Sequence, residues 1–144
     1  MGDHVDTFEH RVRFNEVDRQ GIVFYGHYFA YQDEAVSGYF RVVEERDPDE
    51  EASEWQVHVV NAELDYRSQA TYGEELVHGM RVDRFGRSSI EWSHRVERQG
   101  SRELLAEGSL THVAVDRATG ESIRVPDAFR SAVRELQHTP PAEE

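Results

Sequence analysis

The chain has 144 residues, enough for one domain with a real core, and its 29 acidic residues outnumber 16 basic ones for a net charge of −13. That balance excludes general affinity for nucleic acid, and the absence of cysteine excludes disulfides, thiolate catalysis and Cys-based zinc sites. No apolar run approaches the ~18–20 residues of a membrane helix, and the first ten residues, MGDHVDTFEH, lack the basic and apolar regions of a signal peptide, so a cytoplasmic location is expected.

Phe8 to Phe14 alternates, with Phe8, His10, Val12 and Phe14 on one side and Glu9, Arg11 and Arg13 on the other, which predicts a half-buried strand. A loop follows from Asn15 to Gly21. From about Tyr25 to Glu45 the period becomes helical. Phe29, Gln32, Val36, Phe40 and Val43 share one face, and Tyr28, Tyr31, Ala35, Tyr39 and Val42 a neighbouring one. A helix apolar over so much of its circumference is buried by more than one layer. ERDPDEEASE then reads as a solvated acidic loop containing Pro48.

Four strands are predicted next: Trp55–Tyr66, Glu74–Phe85, Ser88–Arg98 and Glu103–Asp116. The glycines of FGRS, RQGS and RATG suit hairpin turns, so the strands are expected to run as a meander. PDAFRSAVREL spaces Phe129, Val133 and Leu136 for a short helix behind Pro126. QHTPPAEE reads as a frayed tail. The expectation is one α+β domain over residues 1–144, with its core at about 8–136 and a tail at 137–144. Five strands cannot enclose an apolar helix on all sides, so packing alone predicts a second subunit.

The stretch FNEVDRQGIVFYGHYF sets Asp18 between a strand and the start of the buried helix. A carboxylate beside a helix N-terminus can attack a carbonyl, or activate water against it, while free N–H groups hold the carbonyl oxygen. An Asp in a Gly-containing loop before a helix equally fits a turn or cap. Physics alone leaves both readings open.

Across FNEVDRQGIVFYGHYFAYQDEA the chain resembles hotdog-fold acyl-CoA thioesterases of the 4-hydroxybenzoyl-CoA thioesterase type. Their motif is aromatic-x-D-x-D-x-x-G-[IV]-V-[FWYH]-[YH]-x-x-Y, matched by Phe14, Asp18, Gly21, Ile22, Val23, Phe24, Tyr25 and Tyr28. Further looser matches follow in order: AELDYRSQATYGEEL, GRSSIEW, LLAEG and VPDAFR. The resemblance covers roughly residues 8–135. It implies a long helix wrapped by a five-stranded antiparallel sheet and hydrolysis of an acyl-CoA to a free acid and CoA. It makes Asp18 the nucleophile or general base and the Tyr25 backbone N–H the donor to the thioester carbonyl. Gly21, Phe24 and Tyr28 fall around the acyl group. Arg87, Ser88 and Ser89 fall where the family contacts the nucleotide of CoA. It implies a homodimer, with a tetramer compatible, and no cofactor. Glu16 replaces the motif's first Asp, Gln69 stands where Pro is usual, and His27 does not align with the histidines of relatives.

The eight histidines are scattered without the spacing of a compact metal site, so no metal is expected and core or surface histidines are. Glu63 and Asp65 read as exposed strand acids, with support of a partner's loop as the alternative. Ser88 and Ser89 lack the G-x-S-x-G context of a serine hydrolase. The alternatives to a thioesterase are a non-catalytic acyl-CoA-binding protein, which would have no need of Asp18, and a hydroxyacyl-thioester dehydratase, which would need a His–acid pair not seen near Asp18. An acidic, lysine-free chain also resembles proteins of salt-accumulating halophiles, with Arg-for-Lys codon bias as the alternative.

Overall fold

A computed structural model of the chain describes residues 3–46 and 54–144. Most of the predicted acidic loop around Pro48 lies outside them. The long helix α1 spans His27–Arg46. It packs on a sheet of β1 (Val5–Arg11), β2 (Trp55–Tyr66), β3 (Glu75–Phe85), β4 (Ser89–Arg98) and β5 (Leu104–Asp116). A short helix α2 (Asp127–Leu136) and a two-residue strand β6 (Ala142–Glu143) complete the fold.

The strand order is β1-β3-β4-β5-β2, antiparallel throughout, with β6 added parallel to the end of β3. Only β3, β4 and β5 form the predicted meander. After α1 the chain crosses to the far edge, where Trp55 pairs with Asp116 and Tyr66 with Ala106. The correction has a physical reason: turn residues identify hairpins, but nothing in the turns tells an incoming strand which edge to take.

The core lies between α1, α2 and the sheet. Ala35, Val36, Tyr39 and Val43 of α1 meet Met80, Val82, Ile90, Trp92 and Leu110 of the strands and Phe129 and Val133 of α2. A second cluster beneath the helix's first turns gathers Val12, Val23, Tyr28, Tyr31, Ala70, Leu76 and Val96. Strand β4 buries Ile90, Trp92, His94 and Val96 on alternate positions, the period-two pattern its sequence carries.

β1 starts earlier and ends earlier than its alternation implied. Phe14 is 78 % exposed, in a 3-10 turn (Phe14–Glu16), edge-on to Tyr72 with ring centres 6.0 Å apart. Nor is the C-terminal segment frayed. Gln137 is buried: its side-chain oxygen accepts from the Val82 N–H (2.6 Å) and the Tyr39 hydroxyl (2.7 Å), and its amide donates to the Val82 carbonyl (3.0 Å). Its side chain thus supplies the Val82 backbone with both a donor and an acceptor, and two residues of β6 then continue the pairing.

Candidate active site

Asp18 occupies the tip of a tight loop. Val17 bridges to Val23, the Asp18 N–H donates to Ile22 O (2.8 Å) and the Phe24 N–H to Glu16 O (3.0 Å). Gly21 makes this reversal feasible, because its φ of +78° lies in the left-handed region that other residues enter at a cost. Bonds from Val23 N–H to Ala70 O and from Tyr72 N–H to Gly21 O, both 2.9 Å, pin the loop to the segment before β3.

The Asp18 side chain is exposed and half committed. Its Oδ1 accepts from the N–H groups of Gln20 (2.8 Å) and Ile22 (3.3 Å), while Oδ2 has no protein donor among the described residues. The turn role and a chemical role therefore use different oxygens.

The loop runs directly into the start of α1, whose entry is tightened by bonds from His27, Tyr28 and Phe29 N–H back to Phe24, Tyr25 and Gly26 carbonyls. Among the described residues, the N–H groups of Tyr25 and Gly26 donate to no protein acceptor. Free amides at a helix start carry partial positive charge suited to an oxyanion. The Gly26 amide was not singled out from sequence, where the motif draws attention to side chains. The Tyr25 carbonyl is held from behind by the Tyr66 hydroxyl (3.0 Å), which ties the helix start to the end of β2.

Phe24 and Tyr25 are exposed, with ring centres 4.7 Å apart, and His27 stands edge-on to Phe24. Tyr28 differs from its expected place at an acyl wall. It is 2 % exposed, packed in the second cluster, its hydroxyl accepting the Ala70 N–H at 3.4 Å, a position that offers no surface to a ligand in the single chain. Burial pushes its hydroxyl pKa up.

Arg87, Ser88 and Ser89 are not brought to Asp18. They form the β3–β4 turn, whereas the Asp18 loop is pinned next to the opposite end of β3. Eleven residues of strand put roughly 33 Å between the two ends. Within the turn, Arg87 is exposed and has no ion pair among the described residues.

Two features beside the loop escaped the sequence reading. A cleft of about 1050 Å³ opens between β1 and the first half of α1, bordered by Glu16, Phe14 and Tyr72, with His10 and Tyr31 among the residues lining it. Behind His10, imidazoles run in a chain under α1. His10 Nε2 lies 2.9 Å from His78 Nε2, His78 Nδ1 lies 3.0 Å from His94 Nε2, and His94 Nδ1 lies 3.4 Å from the Gln32 amide. Burial pushes the His94 pKa down to about 3 and that of His78 well below its ordinary value. Histidines far apart in sequence met because β1, β3 and β4 are neighbours. The expectation of core histidines holds here, and no group of metal-holding side chains exists among the described residues.

A long helix packed on a five-stranded antiparallel sheet is the hotdog architecture of thioesterases. The family described as the thioesterase-like superfamily matches residues 12–133, and the chain belongs to it, with thioester hydrolysis as its class of chemistry. Solved structures agree. The TT1821 protein of Thermus thermophilus is 28% identical with a TM-score of 0.76, covering 92% of this chain and 99% of that one. The PA5185 protein of Pseudomonas aeruginosa is 26% identical, with a TM-score of 0.78 over 94% of this chain and 93% of that one. A 1,4-dihydroxy-2-naphthoyl-CoA thioesterase from Synechocystis shares the fold at 17% identity, with a TM-score of 0.77 and coverage of 91% and 96%. Among curated proteins, no sequence matches significantly.

Proposed function

We propose that the protein is an acyl-CoA thioesterase in which Asp18 is the nucleophile or general base and the Tyr25 N–H, with that of Gly26 beside it, receives the carbonyl oxygen. The observation that carries the reading is the pairing of a carboxylate with one uncommitted oxygen and a helix start with uncommitted amides, joined by one short loop. As general base, Asp18 takes a proton from water attacking the thioester carbon. The C–S bond then breaks, and the thiolate leaves with that proton. As nucleophile, Asp18 forms a mixed anhydride as the thiolate departs, and water hydrolyses it. In both cases charge builds on the oxygen that the amides face.

Gly21 lets the loop approach the acyl group, and exposed Phe24 shields it from water. The nucleotide of CoA contacts Arg87, Ser88 and Ser89 from a second copy, since within one chain that turn lies at the far end of the sheet. The edge strand β2 supports such a homodimer. Val59 and Val60, at its bulge, are 57% and 59% exposed, and its outer edge is unpaired among the described residues.

The test is free-thiol release from short, long and aromatic acyl-CoAs, comparing the wild type with Asp18→Asn at high salt. Turnover of any member that the substitution abolishes supports the proposal. Equal activity in the variant removes Asp18 from the mechanism, and binding without turnover by the wild type would instead make the protein a binding module.

A further inference from the structure

The turn Gly86–Ser89 has all four of its carbonyls tied inward. Gly86 O accepts from Arg130 Nη2 at 2.7 Å, and Arg87 O accepts from Arg130 Nη2 at 3.1 Å and from the Val125 N–H at 2.8 Å. Ser88 O accepts the Ala114 N–H at 2.7 Å and Ser89 O the Gly86 N–H at 3.0 Å. Among the described residues, the N–H groups of Arg87 and Ser88 have no protein acceptor. Successive free amides beside an exposed guanidinium form an anion-binding concavity.

Arg130 is what holds this shape. It is 1 % exposed, on the buried arc of α2. Besides the two turn carbonyls, its Nε donates to Val125 O (3.0 Å), its Nη1 lies 3.4 Å from the Glu143 carboxylate of β6, and its guanidinium sits 5.0 Å from the centre of the Phe85 ring. A rigid planar fork spans three carbonyls and a carboxylate at once, and a lysine ammonium on a flexible stem does not. The desolvation cost of burying this arginine is offset only because its donors meet the inward carbonyls of the turn, so its fork and the shape of the turn depend on each other.

We infer that Arg130 is a positioning residue for the phosphates of the CoA nucleotide: it never touches the ligand but fixes the turn whose amides and Arg87 do. The inference rests on the acyl-CoA reading above and assigns the C-terminal strand, through Glu143, a part in substrate affinity.

The test compares each acyl-CoA with the same acyl group on pantetheine, which has the thioester arm without the nucleotide. The wild type is expected to favour acyl-CoA through KM. Arg130→Lys should raise KM for acyl-CoA about tenfold while leaving kcat for both thioesters, and KM for the pantetheine thioester, within about twofold. Arg87→Ala should raise KM for acyl-CoA at least as much, and the double variant should be no worse than Arg87→Ala alone. An Arg130→Lys protein that loses activity equally on both substrates, or that keeps its full CoA preference, overturns the positioning role. Glu143→Gln provides a milder variant should Arg130→Lys fold poorly, with a smaller rise in the same KM as its expected result and an unchanged KM counting against the role. A wild type that does not distinguish the two thioesters would sink the nucleotide reading of the turn itself, a different failure from retained preference in the variant.

Discussion

The two ends of the sheet carry turns built on opposite plans. The Asp18 loop holds itself: its bonds run to its own backbone, to Asp18 and to the neighbouring segment 70–72. The Gly86–Ser89 turn is held from behind by a buried arginine on another element. In the proposed mechanism the carboxylate must stay near water and free to exchange protons, which local support allows. A turn that recognises a fixed anion gains from rigid support, because preorganisation lowers the entropy lost on binding.

The sharpest test of that contrast is Asp18→Asn, which keeps an acceptor for Gln20 and Ile22. It should cut thiol release by about 10²–10⁴-fold while leaving the denaturation midpoint nearly unchanged. A large loss of stability would mean that the carboxylate holds the loop and the chemistry lies elsewhere. Next in size is a test of the proposed joining of the two ends across subunits. Replacing Val59 and Val60 together with Asp should shift the particle in light scattering from dimer to monomer and remove most activity, each charge being met twice at a two-fold interface. An active monomer would separate the two turns functionally.

Acid should distinguish the ends by stability. Folded His94 stays neutral down to about 3 and His112 down to about 4, both through burial, against an ordinary value of 6.5, and His10 and His78 are shifted the same way. The unfolded chain therefore takes up protons below about pH 6.5 that the folded chain refuses. Stability from these groups is complete above that pH and is lost as pH falls from 6.5 towards 3, by on the order of a few kcal/mol. Denaturant midpoints measured from pH 7.5 to 5, before most carboxylates titrate, should fall steadily. Amide exchange should rise first along β1, next to the His10–His78–His94 chain; a flat profile would contradict the burial of these imidazoles. The smallest effect is expected at Gly21→Ala. A new Cβ meets nothing within 4 Å there, so only the positive φ opposes it, at a cost of about 1 kcal/mol readable in the thermal midpoint.

Much of this was legible in the sequence, and the reasons are local. β2 to β5 were read to within a residue because alternation fills them and glycine turns separate β3, β4 and β5. The Asp18 loop was legible because its Gly and the following aromatics constrain both turn and helix start. β1 was misplaced because Phe14 continues an alternation that the 3-10 turn breaks, and an aromatic on an exposed turn looks like a core residue in one dimension. The tail looked frayed because Gln137 is polar. Its value comes from meeting both polar groups of Val82, a residue distant in sequence. Arg130 and the histidine chain were hidden for the same reason, since their partners are set by strand order and not by neighbours along the chain.

The strand order also dictates a sequence of events in folding. The β3–β4 and β4–β5 hairpins close through short turns, but β1 must find β3 and β2 must find β5 across long stretches of chain, and such closures are slow. The Asp18 loop is pinned to Ala70 and Tyr72, far along the chain, so its backbone partners are complete only after that long closure. The Gly86 turn closes with the first hairpin but gains its support from behind only when Arg130 of α2 docks. Both turns are therefore completed late, one by a long closure onto the segment before β3 and the other by the docking of α2.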